Sequence, residues 1–155
     1  MNQVKAVIMG EGGVGKTTLV SLLKGKQIPR QRKPTIGVDV EKVCLDKNQI
    51  CVWDLAGQNR FKFMWNDFLK GSELTVVVTD SSQRNVKETK KILQQYDRKL
   101  GSKIIAIANK QDLVGSMTPE DISKELGVPT YGMVAINEDN QDALRKIITS
   151  RMASI

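Results

Sequence analysis

The chain has 155 residues, 40% hydrophobic and 26% charged, a length and balance that predict one domain over 1–155 whose core needs no disulfide or metal staple. The formal charge is +7. No aromatic residues interleave with the densest basic stretch, Lys24 to Lys33, so a nucleic-acid stacking platform is not expected and the charge reads as a solvated surface that also attracts a polyphosphate. No apolar run approaches the roughly 20 residues that span a bilayer. A strand pattern starts almost at once, residue 2 is Asn2 rather than Gly, and the tail from Arg151 has no cysteine. The expectation is a cytoplasmic protein without leader or lipid anchor, touching membranes only through partners or its basic surface.

In chain order, apolar runs alternate with helical patterns. Residues 4–9 read as a buried strand, and 15–24 as a helix with Leu19, Leu22 and Leu23 on one face. Residues 37–45 and 49–54 read as a hairpin. Residues 74–80 form a near-continuous apolar run of the buried-strand type. Residues 85–100 are a polar helix with Val86, Ile92, Leu93, Tyr96 and Leu100 as its inner stripe, and 103–108 a further strand. Thr118 caps a helix with Pro119 in its first turn, and Gly127 stops it. Residues 130–136 predict a last strand and 139–152 a last helix, with Ala143, Leu144, Ile147 and Ile148 inward. The aromatic-rich segment 59–71, with Phe61, Phe63, Trp65 and Phe68, matches no element clearly. The alternation predicts an α/β fold: a six-stranded, mostly parallel sheet with one antiparallel edge strand and helices on both faces.

Cys44 and Cys51 lie in the two arms of the hairpin. With the turn at Lys47-Asn48 they stand opposite each other, which makes a cross-strand disulfide conceivable. Two reduced, partly buried thiols are the preferred reading.

Gly10-Glu11-Gly12-Gly13-Val14-Gly15-Lys16-Thr17 matches G-x-x-x-x-G-K-[ST] and stands between a strand and a helix. Glycines let backbone N–H groups cup a phosphate, and the helix aims its positive end at the same anion. Lys16 adds a point charge, and the Thr17 hydroxyl is a hard oxygen for Mg²⁺. Glu11, Gly12, Gly13, Val14, Gly15, Lys16, Thr17 and Thr18 are therefore the expected nucleotide contacts. By itself this loop separates neither ATP from GTP nor hydrolysis from phosphoryl transfer.

Asp54 closes a strand and is followed by Leu55-Ala56-Gly57-Gln58. A carboxylate there can hold Mg²⁺ directly or through water. The Gly57 N–H is suited to a γ-phosphate, and Gln58 to orienting an attacking water. Thr35, in the basic stretch Lys33-Pro34-Thr35-Ile36-Gly37, is a further candidate for Mg²⁺ and γ-phosphate. Asn109-Lys110-Gln111-Asp112 follows a buried strand. The Asp112 carboxylate can accept from N1–H and the exocyclic amine of guanine, whereas adenine would leave it desolvated and unpaired. Asn109 can bond the other edge of the base and tie loops together, and the Lys110 stem can lie over the ring.

These segments, in this order, resemble the Ras superfamily of small GTPases over essentially the whole chain. Thr35-Ile36-Gly37-Val38-Asp39 and the stretch from Trp53 to Gln58 are similar to the Ras and Rab branches. Ala108-Asn109-Lys110-Gln111-Asp112-Leu113 and the Trp65 to Phe68 spacing are similar to the Arf branch. The resemblance implies binding of GTP and GDP with Mg²⁺ and slow hydrolysis using Lys16, Thr35, Gly57 and Gln58. It also implies switch segments at 29–39 and 57–70 that meet effectors, exchange factors and GTPase activators, and a prokaryotic member, archaeal in character, since lipid anchors are missing. The family's last motif falls on Val134-Ala135-Ile136. The Ala135 N–H is expected to reach the guanine carbonyl, with Ile136 beside the base, while the usual flanking polar groups are lost. Ile28-Pro29 stands where many members place an aromatic against the base. Arg32 has the spacing to Thr35 of the built-in arginine finger of heterotrimeric G-protein α subunits; a solvated arginine is the plainer reading. Two alternatives stay open: a GTP-binding scaffold that does not hydrolyse, and a nucleotide kinase, for which the chain has no acceptor-binding insertion or arginine-rich lid.

Overall fold

The computed structural model describes residues 2–25, 37–45, 48–57, 62, 64–97, 100 and 103–152. Its elements are β1 (Asn2–Met9), α1 (Lys16–Lys24), β2 (Val38–Leu45), β3 (Asn48–Leu55), α2 (Trp65–Phe68), β4 (Leu74–Thr79), α3 (Gln83–Tyr96), β5 (Ile104–Ala108), α4 (Pro119–Leu126), β6 (Thr130–Gly132) and, after a 3-10 turn at Glu138–Asn140, α5 (Gln141–Met152). The strands form one six-stranded sheet in the order β2-β3-β1-β4-β5-β6. All neighbours pair parallel except β2 with β3, which puts the antiparallel strand at the edge, as expected.

Side chains of β1 alternate between two cores, as a pleated strand requires. Val4, Ala6 and Ile8 pack with Leu19, Leu22 and Leu23 of α1 and Leu144, Ile148 and Met152 of α5. Val7 and Met9 pack with Trp65, with Val86, Ile92, Leu93 and Tyr96 of α3, and with Ile122 and Leu126 of α4. Helices α1 and α5 thus cover one face, and α2, α3 and α4 the other. Every residue of β4 is buried, which explains its unbroken apolar run.

Four expectations change. The hairpin pairs Leu45 with Asn48, so Cys44 faces Gln49 and Cys51 faces Lys42. The two cysteines are therefore offset rather than opposite, and both thiols are free; Lys47 of the expected turn lies outside the described residues. The α3 helix stops at Tyr96, although Leu100 is still fully buried and its carbonyl accepts from Thr75 Oγ1 at 2.6 Å. The last strand stops at Gly132, because the chain then turns toward β5, with Met133 N donating to Ala108 O at 2.9 Å. Ala143 is exposed, while Ile147 is half-buried against the core.

The parallel strands β1, β3, β4 and β5 end at one edge of the sheet. The segments that follow them emerge side by side there, where the strand order reverses about β1, the usual place for a ligand crevice in such sheets.

Candidate functional site

Helices α1, α3 and α4 follow strands that end at this edge, and they are not treated alike. The Ser82 side chain caps α3 by accepting from Asn85 N, and Thr118 caps α4 by accepting from Asp121 N. By contrast α1 starts at Gly15 with φ 101°, no side-chain cap and no acidic residue in its first turn. Its first N–H groups and positive end are left for an anion. Only glycine fits at 15: an added Cβ would stand 2.4 Å from Asn109 Nδ2.

Lys16 begins this helix and is buried, its ammonium donating to Gly10 O (2.9 Å) and Glu11 O (2.7 Å). Burial pushes its pKa down to about 8; the neighbouring Asp54 and Glu11 oppose the shift, and the Lys62 ammonium reinforces it. An anion set beside it would restore the charged form. Thr18, expected among the contacts, has its side chain buried in the helix packing. Gly12 N donates to Gly57 O at 3.0 Å, so the segment after β3 lies directly on the glycine-rich loop.

Thr17 Oγ1 donates to Asp54 Oδ2 at 2.8 Å, across the groove between α1 and the β2–β3 pair. Asp54 is buried at the end of β3. Among the described residues, no three His, Cys, Asp or Glu side chains gather into a metal cage. A hydroxyl beside one buried carboxylate is nevertheless a hard-oxygen set that fits Mg²⁺, a cation usually held by one or two carboxylates plus phosphate and water.

The segment after β5 is bonded to the glycine-rich loop. Asn109 Nδ2 donates to Val14 O at 2.9 Å, and Lys110 Nζ to Gly13 O at 2.7 Å. Lys110 adopts φ 60°, a left-handed conformation unusual for a side chain of this size, as it arches over the loop. The other end of the Asn109 amide accepts from Ala135 N at 2.9 Å. Asn109 is thus a buried tie between three loops, as expected of it, and a buried amide oxygen left unbonded would be costly. What the sequence does not indicate is that the Ala135 N–H is its partner. Asp112, Leu113, Val134 and Ile136 join Asn109, Lys110 and Ala135 around a pocket of about 180 Å³. Leu113 and Ile136 are 54% and 53% exposed, so this pocket carries apolar surface without a cover.

Sequence reasoning passed over the polar residues behind these loops. Ser81, fully buried with φ 69°, donates to Asn109 O at 2.7 Å, and Gln111 Nε2 donates to Ser81 Oγ at 2.7 Å. Asn85 and Thr89, also buried, interrupt the apolar stripe of α3. Those interruptions, following Asp80-Ser81-Ser82, were the available signal.

Of the aromatic segment, Trp65 is buried, donates to Ala56 O at 3.0 Å and meets Tyr96 with ring centres 5.6 Å apart. Phe68 is half-buried against Trp53 at 5.5 Å. For these two the packing reading holds. Ile28, Pro29, Arg32, Thr35, Gln58, Phe61 and Phe63 lie outside the described residues. Among the described residues no helix is long and apolar enough to cross a membrane.

Comparison with known proteins agrees with this geometry. The family model described as ADP-ribosylation factor family matches residues 1–149. The chain is 32% identical over 131 residues to ADP-ribosylation factor-like protein 5 of Caenorhabditis elegans, covering 81% of this chain and 72% of that protein. It is 34% identical over 128 residues to ADP-ribosylation factor-like protein 5A of Bos taurus, covering 79% and 70%. A third relative, ADP-ribosylation factor-like protein 2 of Dictyostelium discoideum, is 30% identical over 129 residues, covering 80% and 69%. The mixed Ras, Rab and Arf signals therefore resolve, and the chain belongs to the ADP-ribosylation factor family of small GTPases.

Proposed function

We propose that residues 1–155 act as one GTP-driven switch domain in the cytoplasm, binding GTP or GDP with Mg²⁺, hydrolysing GTP slowly to GDP and phosphate, and offering residues 29–39 and 57–70 to effectors and regulators. One observation carries most of this reading: Asn109 and Lys110 are bonded directly to the glycine-rich loop. Such a rim holds a base and its phosphates on one rigid frame.

On this reading the loop N–H groups and the open end of α1 hold the β-phosphate, and Lys16 bridges to the γ-phosphate. Asp112 accepts from the guanine N1–H and amine, the Lys110 stem lies along the ring, and Ile136 and Leu113 cover its edges. Thr17, Asp54 and Thr35 would hold Mg²⁺, which supplies charge neutralisation at the phosphate oxygens when bound. The Gly57 N–H, with Thr35, meets the γ-phosphate, and Gln58 orients the water that attacks it. Catalysis then rests on positioning and electrostatics, with no covalent step for the protein.

The test is competition for the site by GTP, GDP, ATP and xanthosine diphosphate, with turnover measured on the same samples. GTP and GDP should exceed ATP by at least about a hundredfold, since ATP leaves Asp112 unpaired. Asp112→Asn should lose guanine and gain xanthine, whose carbonyl meets the new amide donor. Gln58→Leu should keep affinity and lose turnover by at least about tenfold. Equal ATP binding sinks the guanine reading. Firm GTP binding with no turnover in the unsubstituted protein replaces the switch with a GTP-holding scaffold.

A further inference from the structure

Besides its bonds to Lys110, Gly57 and Lys16, the glycine-rich loop is fastened at Val14, through Asn109, and at the Glu11 side chain, which turns to the first turn of α3. Its Oε1 accepts from Asn85 Nδ2 at 3.0 Å and stands 3.6 Å from Arg84 Nη1. The orientation of Asn85 is fully determined. It is completely buried, and its Oδ1 accepts from Thr79 Oγ1 at 2.6 Å and from Asp80 N at 3.0 Å. The Asp80 N–H can only donate, so it is the amide oxygen that must face it; Thr79 Oγ1, which accepts from Ser81 N at 3.2 Å, gives its proton to the same oxygen. Only Nδ2 is left to face the loop. Ser81 Oγ then reaches Asn109 O, and Asn109 Nδ2 returns to Val14. The loop, the end of β4, the start of α3 and the segment after β5 thus close into one circuit of mostly buried hydrogen bonds.

A carboxylate in a loop that cups a polyphosphate is an electrostatic conflict. Here the conflict is met by direction: the Glu11 carboxylate points to an amide and a guanidinium, while its backbone carbonyl takes the Lys16 ammonium. We propose that Glu11 is a positioning residue, whose hold on Asn85 and Arg84 fixes the loop backbone and keeps its own charge off the phosphates, so that the first turn of α3 sets nucleotide affinity. This rests on the guanine-nucleotide reading above.

The experiment measures GDP affinity with Mg²⁺, and the thermal midpoint without nucleotide, for a small set of variants. Asn85→Asp sets a second carboxylate against Glu11 and should weaken GDP by about tenfold or more. Adding Glu11→Gln supplies the donor that Asp then needs and should restore affinity to within about threefold. Arg84 lies on the surface, its side chain 70% exposed, so Arg84→Gln tests the link without threatening the core. It should cost about two- to fivefold in affinity, fading at high salt. Affinity unmoved by Asn85→Asp and Arg84→Gln, or an Asn85→Asp loss that Glu11→Gln leaves in place, overturns this inference alone, even where thermal midpoints shift. No GDP binding by the unsubstituted protein sinks the guanine reading and this one together.

Discussion

Gly57 has only a hydrogen for a side chain, and its surroundings leave room for nothing more. A Cβ there would stand 2.4 Å from Gly10 O, from the Glu11 carbonyl carbon and from Lys16 Nζ. Two of those atoms are backbone and cannot yield cheaply. Gly57→Ala should therefore lift this segment off the glycine-rich loop and draw its N–H away from the γ-phosphate position. GTP affinity should fall by about tenfold, while GDP, which has no γ-phosphate, holds within a factor of about two; an equal loss for both nucleotides would contradict the assigned contact. The motif Asp54-Leu55-Ala56-Gly57-Gln58 made this glycine legible in the sequence. Asn109 was legible as important but not in detail, because which groups its amide meets depends on Val14 and Ala135, each remote in the chain. The sequence marks Glu11 as a nucleotide contact, one of the residues of the glycine-rich loop. That its side chain leaves the site could not be read, since its partners lie 73 and 74 positions away.

Elements with local punctuation were readable, and those held by tertiary contacts were not. Thr118, Pro119 and Gly127 bracket α4 in the structure as they do in the sequence, with Thr118 Oγ1 accepting from Asp121 N at 3.2 Å and Gly127 at φ 74°. Thr118→Ala should lower stability by about 1 kcal/mol and Thr118→Ser by much less. Urea unfolding checks this, and equal midpoints for the Ala variant and the parent would deny the cap its role. The four-residue α2 has no such signal. An isolated helix of that length does not form in water; Trp65, buried against Tyr96 and bonded to Ala56, holds it in place. The end of β6 is likewise set from outside, by hydrogen bonds from Met133 to Ala108 and from Gln111 to Met133.

At the scale of the molecule, the site is assembled from segments that follow β1, β3 and β5, so a nucleotide would bridge parts of the sheet that unfolding separates. Ligand bound only by the folded state stabilises it by about 2.7 kcal/mol at a hundredfold excess over the dissociation constant. GDP or GTP with Mg²⁺ should raise the thermal midpoint, EDTA should reverse part of the gain, and ATP should leave it unmoved. A midpoint indifferent to GDP would contradict a folded guanine site. By itself the sequence determined the strand and helix alternation, the antiparallel edge and the segments proposed to meet the nucleotide. These depend on period, turn residues and short motifs, all of which act between neighbours. The tertiary structure decided the order of strands, the hairpin register, the turning of the Ala135 N–H to Asn109, and the circuit from Glu11 through Asn85 back to Val14. Those depend on which buried donor finds which acceptor once the sheet is closed, and satisfying buried polar groups is a property of the packed molecule rather than of any stretch of chain.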